Sequence, residues 1–304
     1  MLFTIIMPMT RELVCPSCRQ YLQPAADKLF CRQCNISYPI IDDIPSFISD
    51  AILPTTFSFE ISVFFEKVER RHFWHVSRRE LIHMIIRDLL KDRNNSGSMI
   101  ELGCGNGSVA RYLEEKKISV EGGDGSLDCL RMCRQKTKMA LYHIDCNRTP
   151  FPDETYDVVG AFDLLEHLEN EDVALKEINR VCKKGGLAII TVPAKKCLWS
   201  NFDIFFGHKK RYEKEELAKA VTAAGFTIKR ITYFMAIIFP IIWAMRCFFG
   251  RKRYRKEEFW SNFQLTKTIP VLNEVILCIT AIEKILLKKA NLPFGASLIC
   301  VAQK

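Results

Sequence analysis

Apolar positions along the chain change their spacing several times, and each change marks an element or a border. Residues 13–48 (LVCPSCRQYLQPAADKLFCRQCNISYPIIDDIPSFI) carry only short, strand-like apolar pieces between turn residues. From Phe57 to Leu90 the pattern is helical and amphipathic, closing in LIHMIIRDLL, and Asn94-Asn95-Ser96-Gly97 breaks it. Beyond the break, strands are expected at Met99–Leu102, Ser119–Gly123, Ala140–Ile144, Tyr156–Ala161, Leu187–Val192, Thr227–Tyr233 and Ser297–Ala302. Helical stretches separate the first six, which predicts an α/β fold built on a doubly wound sheet of seven strands.

The last two strands stand apart. About sixty residues lie between them, far beyond an ordinary hairpin loop, so a helical insertion is expected, leaving from the carboxyl edge of the sheet, where such folds bind ligands. Its first part, Phe234–Phe249 (FMAIIFPIIWAMRCFF), is almost wholly apolar, broken by Pro240 and Arg246, and Arg251, Lys252, Arg253, Arg255 and Lys256 follow. About 16 residues fall short of the ~20 needed to span a bilayer. Two readings stay open: an in-plane or re-entrant segment with basic residues at the headgroups, or a buried lid over the site. Ile269–Lys289 reads as an amphipathic helix closing the insertion. The chain thus divides into a ribbon (1–50), helices covering the site (51–96), a core (97–234 with 293–304) and an apolar, basic helical insertion (235–292).

Composition adds constraints on partners. Hydrophobic residues make up 48% and charged residues 26%, as in a globular protein with one sizeable core and a small appendage. A net charge of +9 suits anionic partners: phosphate-bearing substrates, nucleic acid or an anionic membrane face. The opening MLFTIIMPM has no basic leader and too short an apolar run for a signal peptide. A reducing cytoplasm is therefore expected, with peripheral contact at the inner membrane face as its extension. Oligomeric state is left open.

Among 13 cysteines, Cys15, Cys18, Cys31 and Cys34 form two Cys-x-x-Cys knuckles twelve residues apart. Two such turns supply the four thiolates that tetrahedral zinc prefers, and the metal would stabilise a segment too short to build its own core. A redox pair or core thiols are the alternative. The other nine cysteines read as small core hydrophobes.

The segment MIELGCGNGSVARYL sets Glu101-Leu102-Gly103-Cys104-Gly105-Asn106-Gly107 where a strand turns into a helix, and glycines there let a ligand approach the backbone. Asp124, in SVEGGDGS, follows Gly103 by 21 residues, the spacing at which a carboxylate accepts hydrogen bonds from ribose hydroxyls. Asp145 ends the third strand, within reach of an adenine amino group. A glycine turn alone would also fit a nicotinamide enzyme.

Together ELGCGNGS, the GDGS acid, HIDCNRTPFPDETYDVVGAFDLLEHL and RVCKKGGLAIITVPA resemble the successive motifs of class I S-adenosylmethionine-dependent methyltransferases, especially the small-molecule and lipid-directed branch, over residues 97–235. The resemblance implies a Rossmann-like sheet whose final strand inserts antiparallel. It implies the methionine moiety over Gly103 and Gly105, flanked by Cys104, Asn106 and Gly107, with Glu101 orienting its ammonium. The ribose falls at Asp124, Gly125 and Ser126, and the adenine between Asp145, Cys146 and Phe162. In RRHFWHVSRRELI, Arg78 resembles an arginine that covers the cofactor carboxylate; a solvated helical arginine is the alternative. The ribbon resembles the small Trm112-like zinc proteins that activate methyltransferase partners, and also the ribbon of some rRNA guanine methyltransferases.

A sulfonium methyl is already activated, so the protein chiefly positions a nucleophile, and a base is needed only where that nucleophile keeps its proton. Two segments are candidates. Asp163, Glu166 and His167 are expected on one helical face and resemble the acidic-x-x-Glu-His of ubiquinone-type O-methyltransferases, where it holds a divalent metal, here magnesium; a helix cap is the alternative. PAKKCLWSNFDIFFGHKKRYEKEEL resembles the D...GH.RRY loop of a glycan- or lipid-carrier-modifying group. There His208 is the candidate base, with Asp203, Lys210, Arg211 and Tyr212 on the substrate. Three functions follow: O-methylation, less readily N-methylation, of a lipid-linked, isoprenoid or saccharide acceptor at the membrane face; rRNA or tRNA methylation; or a non-catalytic methyltransferase-like partner.

Overall fold

The computed structural model describes residues 11–48, 68–91, 97–249 and 270–304. Helix expected at 57–67, the break at 94–96, the basic residues 251–256 and Ile269 lie outside the described residues.

Residues 23–45 form a small antiparallel sheet, β1 (Gln23–Ala25), β2 (Lys28–Cys31), β3 (Ile36–Ile41) and β4 (Ile44–Pro45), in that order. Helix α1 (Phe73–Leu90) follows. The core then alternates β5 (Met99–Leu102), α2 (Ser108–Glu115), β6 (Glu121–Asp124), α3 (Leu127–Arg134), β7 (Leu141–His143), β8 (Tyr156–Phe162), α4 (Glu171–Val181) and β9 (Cys182–Pro193). After β9 come α5 (Asn201–Phe205), α6 (Lys214–Ala223), β10 (Thr227–Phe234), α7 (Phe239–Phe249), α8 (Pro270–Lys289) and β11 (Ser297–Gln303).

All seven expected strands lie in one sheet, ordered β10-β11-β9-β8-β5-β6-β7, with β11 antiparallel to both neighbours. Pattern reading starts β9 five residues late: Cys182 already pairs with Tyr156, but the polar Lys183-Lys184 and the Gly185 bend hide the strand. Alternate residues feed two cores: Ile100, Leu102 and Ile190 pack under α4 and α6, while Met99, Val158 and Ile189 pack under α1 and α2. Strand order reverses between β5 and β8, and the ligand crevice of such sheets opens above that point.

The small sheet is fastened to the large one. Leu13, Leu29 and Tyr38 share a core with Tyr142 and Phe151, and Ser46 pairs in parallel with His143. The bridge covers the edge at β7, which would otherwise present unpaired backbone. On the far side α8 packs on α1 through Asn273, Ile276, Thr280, Glu283 and Leu287. That stripe is largely polar: Asn273 bonds Phe73 N and Arg71 O, Thr280 bonds Ser77 at 2.6 Å, and Glu283 accepts the amides of Met235, Ala236 and Ile237. The expected amphipathic helix is present but inverted, with Val271, Leu272, Val275, Ile282, Ile285 and Leu286 exposed.

Candidate active site

Three glycines shape the turn after β5, each with positive φ, and they differ in what surrounds them. A Cβ on Gly103 would press to 2.8 Å on Leu164, and one on Gly107 to 2.3 Å on the Cys133 sulfur; on Gly105 it would meet nothing within 4 Å. Gly105 therefore leaves its face open to a ligand. Gly107, expected on the cofactor, instead serves the packing of α2 on α3 and does not line the cleft. The Gly105 amide donates to Asp124 at 2.7 Å and the Ser126 amide to the other carboxylate oxygen at 2.8 Å, tying the glycine turn to the end of β6. Burial pushes the Asp124 carboxyl up, against the pull of these amides. Asp145 accepts from the Asn147 amide and side chain, both at 2.9 Å.

These residues line one cleft of about 1000 Å³, together with Glu101, Cys104, Asn106, Gly125, Cys146 and Phe162. The volume is at the upper end of small-molecule sites, ~300–1,000 Å³, and leaves room for a cofactor and an acceptor. Glu101 is 2% exposed. Burial raises its carboxyl to about 8, opposed by the charge of Arg78. Arg78 is itself half-buried, its side chain 13% exposed, and ion-paired with Asp163.

Asp163 has a left-handed backbone (φ 55°) and gives its carboxylate to Arg78 and to the Thr191 hydroxyl, 2.9 Å away. Residues 165–167 form a single 3₁₀ turn, not an α-helical face. The expected magnesium trio therefore does not assemble. The donor atoms that do converge, within 4.8 Å, belong to Glu166, His167 and His208, and one carboxylate with two imidazoles is not the oxygen set magnesium takes. Glu166 is fully buried, neither of its oxygens has a hydrogen-bond partner among the described residues, and burial pushes its carboxyl well up. Burial, then His208, lowers His167 to about 4.

His208 lines the cleft. Its Nδ1 donates to Asp203 at 3.0 Å, the tautomer an acceptor-only carboxylate selects, which leaves Nε2 for the cleft. Asp203 is fully buried; burial opposes its charge, but His208, Arg211 and Arg246 outweigh it and hold the carboxyl near 2. The expected substrate contacts are accordingly corrected. Asp203 is inaccessible, Tyr212 is 1% exposed with its hydroxyl on Glu171, and Lys210 lies over the Tyr212 ring, paired with Glu171 at 2.5 Å. Only Arg211 reaches the cleft, and its guanidinium is occupied by Asp203 and the Ala194 carbonyl. Sequence reading missed Glu69, His72, Trp74, His75, Phe202, Phe206 and Arg246, which also line the cleft. The RRHFWH cluster and the lone arginine in an apolar run were the available signals.

In the small sheet, the sulfurs of Cys15 and Cys34 are 3.9 Å apart and those of Cys18 and Cys31 3.4 Å, with all four within 4.8 Å. Tetrahedral zinc with ~2.3 Å bonds spaces its sulfurs by about 3.8 Å, so the four thiols fit that ion. Burial works against a Cys15 thiolate, yet hydrogen bonds from Tyr38 and the Cys18 and Ser17 amides bring the thiol down to about 6.

The family described as methyltransferase domain matches residues 73–231, just over half of the chain, and that described as Trm112p-like protein matches residues 12–43. An uncharacterised protein of Methanocaldococcus jannaschii is 31% identical over 190 residues, 60% of this chain and 82% of that protein. A phosphatidylethanolamine N-methyltransferase of Cereibacter sphaeroides is 32% identical over 101 residues, 31% of this chain and 49% of the enzyme, so the chain spans about half of that relative. Among solved structures, a Thermotoga maritima S-adenosylmethionine-dependent methyltransferase aligns with a TM-score of 0.51 at 17% identity, covering 81% of this chain and 95% of that one. A Haemonchus contortus phosphoethanolamine N-methyltransferase 2 bound to S-adenosyl-L-methionine gives 0.51 at 16% identity, covering 88% and 61%. Both likenesses show the fold. With a match running from Phe73 to Ile231, the chain belongs to the methyltransferase domain family and is an S-adenosylmethionine-dependent methyltransferase with a Trm112-like segment at its N-terminal end.

Proposed function

We propose that the chain methylates an oxygen nucleophile on a lipid-linked, isoprenoid or saccharide acceptor at a membrane face. The observation that carries this reading is His208, held by the buried Asp203 at 3.0 Å and lining the same cleft as Gly105, Asp124 and Asp145. S-adenosylmethionine supplies a methyl group already activated on sulfur. The chain's own work is to hold it, with Asp124, Gly125 and Ser126 at the ribose, Asp145, Cys146 and Phe162 at the adenine, and Glu101 and Arg78 at the methionine ammonium and carboxylate. A hydroxyl keeps its proton near neutral pH, so Nε2 of His208 takes that proton as the oxygen–carbon bond forms and the carbon–sulfur bond breaks. Asp203 fixes the ring and stabilises the imidazolium.

Leu164, Leu168, Val173, Phe202 and Phe206 line the cleft and suit a greasy acceptor. Outside it, α7 exposes Ile241, Trp243 and Met245, and α8 exposes the row described above. No helix among the described residues is long and apolar enough to cross a membrane, which agrees with a helix lying on the surface. On this reading the four segments 1–50, 51–96, 97–234 with 293–304, and 235–292 have separate tasks, with Cys15, Cys18, Cys31 and Cys34 holding zinc in the first. A second reading, a phospholipid amine as acceptor, is favoured by the likeness to phosphatidylethanolamine N-methyltransferase. Methyl-labelled cofactor incubated with the protein and a mixture of membrane lipids, RNA and protein distinguishes these classes. Label in the lipid fraction is expected; label confined to RNA, or no binding of S-adenosylhomocysteine by calorimetry, overturns the proposal.

A further inference from the structure

The hydrogen bonds around Asp203 give one residue of the insertion a place in the site. We propose that Arg246 is a positioning residue: it clamps the carboxylate of Asp203 and thereby sets the ring orientation and tautomer of His208. The inference rests on the reading of His208 as the base.

Asp203 has two differently occupied oxygens. Oδ1 accepts from His208 Nδ1 at 3.0 Å and Arg211 Nε at 2.8 Å, while Oδ2 accepts from the Ser200 amide at 2.9 Å and Arg246 Nη1 at 2.7 Å. Arg211 approaches from the same oxygen as the histidine, so it cannot stop the carboxylate from rotating about its own axis. Arg246 and Ser200 hold the opposite oxygen and remove that freedom. Arg246 is in turn fixed by the Leu198 carbonyl at 2.8 Å and the Ser200 hydroxyl at 2.9 Å, and lies 5.5 Å from the centre of the Phe202 ring. Its side chain is only 19% exposed although it stems from a helix whose neighbours Ile241, Trp243 and Met245 face outward. The Nη1 group alone meets three oxygens, the Leu198 carbonyl, the Ser200 hydroxyl and Asp203 Oδ2, which fixes the guanidinium against the turn that carries Asp203. The segment between the last two strands therefore supplies a partner to Asp203, and through Arg246 α7 takes part in the site.

A merely structural arginine would hold α7 down and leave the histidine unchanged, so the test reads the histidine. Nitrogen-15 spectra of histidine-labelled full-length protein with S-adenosylhomocysteine, assigned with H208A, report which ring nitrogen of His208 carries the proton. The unsubstituted protein is expected to show the Nδ1–H form. R246M is expected to lose the hydrogen-bonded Nδ1 proton signal and to populate the other tautomer, and turnover on the lipid fraction to fall on the order of 10- to 100-fold with unchanged cofactor KM. R246K, which can still reach Asp203, should restore the signal. An unchanged His208 spectrum in R246M overturns the proposal and leaves the base reading standing; unchanged turnover in H208A removes the base reading whatever the spectra show. If R246M fails to bind S-adenosylhomocysteine, R246Q, which keeps a donor for the Leu198 carbonyl without the charge, is read in the same way.

Discussion

The two segments added to the sheet meet it in opposite ways. The ribbon is fastened to the strands beside Asp124 and Asp145 by a shared apolar core and by polar bonds, whereas α7 and α8 turn an apolar side outward. Arg148, two residues beyond Cys146, donates to the Pro16 carbonyl at 2.5 Å and the Ser17 carbonyl at 3.0 Å, inside the first knuckle. Ser46 bonds His143 at 2.7 Å, and the other nitrogen of that ring lies 3.2 Å from the Gly125 carbonyl, beside Asp124. Both paths end on loops assigned to the nucleoside. The insertion sends Arg246 and Glu283 inward and leaves Ile282 and Ile285 more than half exposed. The contrast teaches that the ribbon's polar contacts end on loops that line the cleft, while the insertion, bonded inward just as fully, keeps an apolar row exposed, the surface that the proposed acceptor reading draws on.

The sharpest break of this comparison lies on the acceptor side. His208→Ala should lower turnover by roughly 10²- to 10⁴-fold, the usual worth of a positioned base, with S-adenosylhomocysteine affinity by calorimetry unchanged, because the groups it meets, Asp203 and the His167 and Phe206 rings, are not among those assigned to the nucleoside. Weakened cofactor binding in that variant would mean that the two halves are not separable. Zinc removal should act on the other half. Without the ion the ribbon loses the interactions that fold it, and S-adenosylhomocysteine affinity is expected to fall about tenfold or more; unchanged affinity after chelation would reduce the ribbon to an appendage. Arg148→Ala, with zinc retained, isolates the contact itself. Two bonds to carbonyls at ~1 kcal/mol each set a ceiling of about 30-fold on the affinity loss, because only the part of that energy coupled to binding is lost; a measurable loss below that ceiling is expected in the same titration.

How much of this was legible depends on how local the cause is. The strands were readable because each is an apolar run ended by a glycine or a turn, and the four cysteines because their spacing alone brings them together. That Gly105 and Asp124 come together was readable because the turn after β5 and the end of β6 lie side by side in one sheet. The acceptor end was not. Lys210 and Tyr212 are taken up by Glu171, some forty residues earlier in the chain, and Asp163 by Arg78, 85 residues away. A basic loop looks the same in sequence whether its charges face a substrate or a neighbouring helix. Arg246 was visible as the single charge in an apolar run, but its partner Asp203 precedes it by 43 residues, across a helix and a strand.

The smallest expected effect is also the most discriminating for the insertion. Ile285 and Ile276 sit on one helix and have the same side chain, but Ile285 is 58% exposed and Ile276 is 8% exposed against α1. Replacing Ile276 by Glu would bury a charge beside an apolar cluster, so a loss of several kcal/mol, or about 10 °C and more in Tm, is expected. Replacing Ile285 by Glu removes exposed apolar surface and buries nothing, so thermal unfolding should stay within about ±0.5 kcal/mol of the unsubstituted protein. If the outer row lies on a lipid surface, the same substitution lowers pelleting with anionic liposomes, because the apolar contact is lost and a like charge is added. A destabilised Ile285→Glu would show that the row is covered within the protein itself, and the contrast between an open insertion and a closed ribbon would fail at that point.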